Sequence, residues 1–124
     1  MKVLLSIKPE FANEIFNGSK KYEYRRRIFK RNDVTTVVVY ASSPVSQVVG
    51  EFDIDDILYD HVDSLWKETK EHSGITEAYF FTYFEQRETG YAIKIKSCNR
   101  YEQPQSLEST YGILPPQSFA YVEE

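Results

Sequence analysis

The chain is poor in most of the residues that fix a function class by inspection. Its one cysteine, Cys98, excludes an internal disulfide and a cysteine-based zinc site. Its two histidines, His61 and His72, have no His, Cys or Glu partner at zinc spacing. The acids Glu51, Asp53, Asp55, Asp56, Asp60 and Asp63 miss the calcium-loop pattern because its glycine is absent, so they read as a solvated strand face. Five glycines form neither a Gly-rich phosphate loop nor a Gly-x-Ser-x-Gly elbow. No metal and no cofactor is therefore expected. The apolar run near Met1 is too short for a signal peptide or a membrane span, which predicts a soluble, cytoplasmic protein without membrane contact. There is no repeat, low-complexity tract or Gly/Ser linker. The 124 residues read as one domain, 1–124.

Basic charge is also scarce, with 15 Lys and Arg against 19 Asp and Glu and a net charge of -4. What there is lies together. Residues 18–31 hold seven of the fifteen (Lys20, Lys21, Arg25, Arg26, Arg27, Lys30 and Arg31) and a single acid, Glu23. A basic island in an acidic chain makes a directed field, suited to a local anionic ligand more than to coating a polyanion. The ordinary account of a three-arginine run is a solvated strand face with the stems lying over aromatics. Here Tyr22, Tyr24 and Phe29 are interleaved with the cations. Cations on phosphate and rings on bases are the usual combination for single-stranded nucleic acid. Glu23 is an ion-paired acid, or else reads the exocyclic amine of a base.

Periodicity supplies the elements. Residues 3–7 form a buried strand. Pro9 opens a helix whose Phe11, Ala12, Ile15 and Phe16 share a face, and Gly18 ends it as a left-handed cap. Residues 21–27 read as a strand with Tyr22 and Tyr24 on one face and Lys21, Glu23, Arg25 and Arg27 on the other. Residues 34–41 are almost continuously apolar, as in a central strand buried on both faces. Ser42-Ser43-Pro44 breaks that run. The two serines are turn residues, or else hydroxyls placed for a ligand at a strand end. Residues 45–58 resume as a strand with Val48, Gly50, Phe52 and Ile54 on one side. Asp60 is the expected cap of a helix striped by Val62, Leu65, Trp66 and Thr69, and Thr76 caps the next. Five of the six residues 79–84 are aromatic, too many for one buried face, so some are exposed. Thr89-Gly90 reads as a turn before a strand ending at Cys98, and a last short strand lies near residues 119–122. Five to six strands with flanking helices in this order predict an α+β domain built around a small mixed β-barrel.

Gly18-Ser19-Lys20-Lys21-Tyr22-Glu23-Tyr24-Arg25 resembles the Gly-x-Lys-x-x-Glu-x-Arg signature of ASCH domains, members of the PUA-like superfamily. Leu4-Leu5-Ser6-Ile7-Lys8-Pro9, Tyr40-Ala41-Ser42-Ser43-Pro44, Val49-Gly50-Glu51-Phe52, Gly90-Tyr91-Ala92-Ile93-Lys94-Ile95 and Pro115-Pro116-Gln117-Ser118-Phe119 continue the pattern over nearly the whole chain. The likeness is greatest to stand-alone ASCH proteins described as predicted transcriptional regulators. It implies a PUA-like barrel with a cleft at the signature, and a partner such as RNA, single-stranded nucleic acid or a nucleotide-like ligand. The candidate binding residues are Lys20, Tyr22, Glu23, Tyr24, Arg25, Arg26, Arg27, Ser42 and Ser43. The resemblance also implies a rival. One ASCH branch is similar to amidohydrolases of N4-acetylcytidine, and another cuts RNA. In the amidohydrolases the Lys matching Lys20 is catalytic, and a Thr stands where this chain has Glu23. As an enzyme the chain would use Lys20 and Glu23. A regulatory protein partner is a third possibility. In a strictly extended chain Lys20 and Glu23 face opposite ways, and they converge only if Lys20 lies in the turn after Gly18.

Overall fold

The computed structural model describes residues 1–123. Strand β1 (Lys2–Ile7) leads through helix α1 (Pro9–Asn17) and strand β2 (Tyr22–Arg25) to β3 (Thr36–Ala41), which pairs with β1 in parallel. Strand β4 (Gln47–His61) runs antiparallel to β3, and β5 (Thr89–Gln105) antiparallel to β4. Between them lie α2 (Val62–Thr69), a 3-10 turn (Lys70–His72) and α3 (Glu77–Tyr83). Helix α4 (Leu107–Tyr111) and strand β6 (Phe119–Val122) finish the chain. The six strands make one sheet in the order β2-β5-β4-β3-β1-β6, the expected α+β architecture. The sheet is open, with β2 and β6 as its edges. Side chains span that seam: Arg25 donates from Nη2 to the Ser118 carbonyl at 2.8 Å, and Tyr121 Oη accepts the Lys30 N–H at 2.9 Å.

The continuous apolar character of β1 and β3 follows from burial on both faces. Val3, Leu5, Val37 and Val39 pack with Ala12 and Ile15 of α1 and with Phe52 and Ile93. Leu4, Val38 and Tyr40 point the other way, onto Val48, Leu107 and Val122. A third cluster joins Tyr24 and Ala92 to Leu65, Trp66, Phe80 and Phe84 from the two central helices. The 79–84 aromatics divide as their number requires. Phe80 and Phe84 are core, while Phe81 is exposed.

Several boundaries differ from the sequence expectation. Asp60 is not a helix cap. It belongs to β4, and His61 stands at the cap position without a side-chain bond. Thr89-Gly90 is not a turn but the start of β5, paired with His61 and Asp60. Long-range pairing extends both strands past the local breaks. Cys98 therefore lies inside β5 and not at its end. Val48 and Phe52 fall into different clusters because a bulge between Val48 and Gly50 inverts the alternation. Strand β2 is shorter than expected and ends before Arg26 and Arg27, and α4 carries no clear periodic signal. Among the described residues no helix is long and apolar enough to cross a membrane.

Candidate functional site

The turn after α1 builds the floor of a cavity. Gly18 adopts φ 90°, the left-handed geometry that a side chain resists, and its N–H reaches the Ile15 carbonyl. The chain is then pinned at two successive residues. The Lys20 N–H donates to the Glu14 carbonyl at 3.0 Å and the Lys21 N–H to the His72 carbonyl at 2.8 Å. Lys20 thus sits ahead of β2, in the turn. This is the geometry that lets Lys20 and Glu23 line the same cavity despite their odd spacing.

Lys20 is 2 % exposed. Its Nζ donates to the Ser73 carbonyl at 2.8 Å and lies 4.9 Å from the centre of the Tyr24 ring and 5.4 Å from that of Phe11. Burial pushes its pKa below the ordinary 10.5, partly offset by the charges of Glu23 and Glu14. Glu23 is also buried and accepts from Arg25 Nη1 at 3.3 Å. Arg25 donates further to the Ser6 carbonyl at 3.3 Å and to the Ser118 carbonyl at 2.8 Å. Among the described residues, no buried side-chain nitrogen or oxygen lacks a hydrogen-bond partner.

The cavity encloses about 170 Å³, roughly the share of five or six liquid waters at ~30 Å³ each. Lys20, Glu23 and Arg25 supply its polar side. Phe11, Tyr24, Tyr79 and Tyr83 supply rings, with Phe11 and Tyr79 edge to face at 5.1 Å. Ser6, Ile7, Lys8 and Ile75 complete the wall. A second groove of about 360 Å³ is lined by Arg25, Arg26, Arg27, Tyr83, Arg87, Gln117 and Ser118. It shares Arg25 and Tyr83 with the cavity, so the two are contiguous.

Of the candidates, Lys20, Glu23, Tyr24 and Arg25 meet at the cavity, and Arg26 and Arg27 line the adjoining groove. Tyr22 and the two serines do not line either. Tyr22 packs on the Leu65–Phe80 cluster. Ser42 is the turn residue after β3, its N–H on the Ile7 carbonyl at 3.0 Å, and Ser43 is exposed beside it. The Tyr24 hydroxyl is committed to Thr69 at 2.6 Å, so it offers its ring alone. Periodicity did not mark Ser6, Phe11 or Arg87 as site residues. Tyr79 and Tyr83 had one advance signal, the excess of rings at 79–84, some of which had to face something other than the core.

Gly74 is a further participant. At φ +68°, it packs on the Lys20 stem so closely that an added Cβ would sit 2.6 Å from Lys20 Cγ. Gly74→Ala should therefore displace Lys20 as well as strain the backbone. We expect a loss of roughly 1–3 kcal/mol in urea denaturation together with loss of ligand binding, whereas Gly112→Ala, also at positive φ but open to solvent, should cost stability alone.

Comparison with known proteins decides the family. The ASCH domain profile matches residues 5–122. The chain belongs to the ASCH domain family. The crystal structure of ASCH from Zymomonas mobilis superposes with a TM-score of 0.91 at 28% identity, covering 99% of this chain and 88% of that one. The ASCH domain-containing ribonuclease of Zymomonas mobilis is 28% identical over 130 residues, 99% of this chain and 85% of that protein. Large ribosomal subunit protein uL22 of Ureaplasma parvum is 26% identical over 121 residues, and this chain spans 39% of its length. The N-terminal domain of Staphylothermus marinus McrB shares the fold at 10% identity and a TM-score of 0.54. Lys20, Glu23 and Arg25 of this chain line one cavity.

Proposed function

We propose that this ASCH domain binds single-stranded RNA, taking one unpaired base into the aromatic cavity and its flanking phosphates onto Arg26, Arg27 and Arg87. The observation that carries this reading is the contiguity of the ring-lined cavity with the arginine groove. Aromatic faces suit any base, and the charged side suits the hydrogen-bonding edge. Arg25 is bound to three protein acceptors and acts as a fixed wall, which leaves phosphate contact to its neighbours. The similarity to the ASCH domain-containing ribonuclease of Zymomonas mobilis, over 85% of that protein, supports RNA as the ligand class.

Fluorescence polarisation with an unstructured RNA across a salt series tests this. Each phosphate contact contributes about −0.7 to the slope of log affinity against log salt for a single strand. The double substitution Arg26→Glu, Arg27→Glu should flatten that slope by roughly 1.4, the loss of two contacts. Absence of binding at low salt, or affinity independent of salt, would overturn the reading.

Lys20 favours a second reading, in which the bound RNA or a nucleoside amide is hydrolysed. A buried amine whose pKa burial has lowered gives up its proton more readily than a free lysine, so it can serve in proton transfer. Incubating unstructured RNA and N4-acetylcytidine with the protein, and following product by electrophoresis and chromatography, separates binding from catalysis.

A further inference from the structure

Beyond the arginine groove the surface continues into another groove of about 600 Å³, which shares Arg26 and Arg27 with it and adds Lys30, Tyr91, Phe119 and Tyr121. Among the described residues no carboxylate lines it. Its rings are held in place. Tyr91 lies against Tyr59 with centroids 4.7 Å apart, and Phe119 meets Tyr121 edge to face at 5.5 Å. The Tyr121 hydroxyl accepts the N–H groups of Lys30 and Arg31 at 2.9 and 3.1 Å, which fixes the cationic loop beside the rings. Tyr121 is 36% exposed and Tyr91 is half-buried, so neither ring is consumed by the core. Fixed rings flanked by cations match a ligand that carries a π face and a negative charge in each repeat.

We propose that this groove is a second nucleotide subsite, which stacks a base next in the strand after the one held in the cavity. The inference rests on the single-stranded RNA reading above and extends it. One strand can thread all three depressions, because each shares residues with the next: Arg25 and Tyr83, then Arg26 and Arg27. The cavity selects one base, the middle groove neutralises phosphate, and the Tyr91 groove adds affinity through length.

Isothermal titration of the full chain with mononucleotides and with hexanucleotide homopolymers of the four RNA bases tests the subsite. For the base that binds best, the hexanucleotide should bind at least about tenfold more tightly than the mononucleotide, one stacked base being worth roughly 1–3 kcal/mol. Tyr91→Ser should weaken hexanucleotide binding by at least about fivefold, the share of one stacked base, and leave mononucleotide affinity within about twofold. Lys30→Glu, on an exposed loop where folding is not at stake, should reduce hexanucleotide affinity in the same selective way. Mononucleotide binding without a length gain, or a gain unchanged in both variants, would overturn the subsite and leave the cavity reading standing. If no probe binds, the cavity reading fails and the subsite fails with it.

Discussion

Lys20→Met should abolish function while leaving the fold as stable as the wild type or more so. Met matches the linear stem that fills the slot between Phe11, Tyr24 and Gly74. What it removes is an amine that burial has forced out of water. Replacing a buried charge by an apolar group of similar volume is often neutral or stabilising. The opposing loss is one hydrogen bond to the Ser73 carbonyl, worth about 1 kcal/mol. On the functional side, a charged group lining a small, partly buried cavity is worth roughly a hundredfold or more in turnover or affinity. Lys20→Arg should not rescue it, because a guanidinium stays charged and needs more room. Stability and activity measured on the same variants decide the matter. A Lys20→Met protein that folds and still binds and turns over every substrate as well as the wild type would sink the assignment.

The same residue fixes a pH dependence. The folded state disfavours the ammonium form, so Lys20 loses its proton at lower pH folded than unfolded. Between the depressed value and the ordinary 10.5 the unfolded chain holds a proton that the folded chain lacks. Wild-type stability relative to Lys20→Met should therefore rise with pH across that window and stay flat below it. Thermal melts of the two proteins at matched pH check the sign. If the free amine is the reactive species, activity should rise with pH over the same range.

The largest loss of stability should come from Arg25→Ala. Its guanidinium touches Glu23 on β2, Ser6 on β1 and Ser118 just before β6. Strands β2 and β6 are the two edges of the sheet, so this one side chain spans the seam that no backbone ladder closes. Its removal leaves Glu23, 6% exposed, as a buried carboxylate without the arginine and strips two carbonyls of their donor. Breaking a buried pair from one side costs about 3–5 kcal/mol. Arg25→Lys should recover little, because a point charge cannot serve three acceptors in a fork. The double variant Glu23→Gln, Arg25→Met should be more stable than Arg25→Met alone, since the orphaned charge is gone. Urea denaturation of the cycle measures this directly. Additive effects at the two positions would show that the pair is not coupled.

Part of this molecule is local and was therefore legible in the sequence. Pro9 and Gly18 bound α1, the 62–69 stripe becomes the buried face of α2, and Thr76 caps α3 through the Tyr79 N–H. Each depends on neighbours within a turn or two, where periodicity and capping chemistry act. The strand errors have a common cause. Asp60, Thr89 and Gly90 look like punctuation, yet the ladder between β4 and β5 supplies partners at long range and carries both strands through them.

The site shows the same division more sharply. The run from Gly18 to Arg25 determined by itself that a turn, a lysine, a lone acid and an arginine would lie close together, and it placed the chain's charge. It did not determine what each charge would do. Tertiary structure decided that Lys20 is a buried amine, because its carbonyl partner lies 53 residues away on Ser73. It decided that Arg25 ties the sheet's open seam, through an acceptor 93 residues away. It also left Ser42 and Ser43 in a turn outside the cavity and brought Phe11, Tyr79 and Tyr83 into it. Burial sets the protonation and reach of a charged group, and burial is produced by elements remote in the chain.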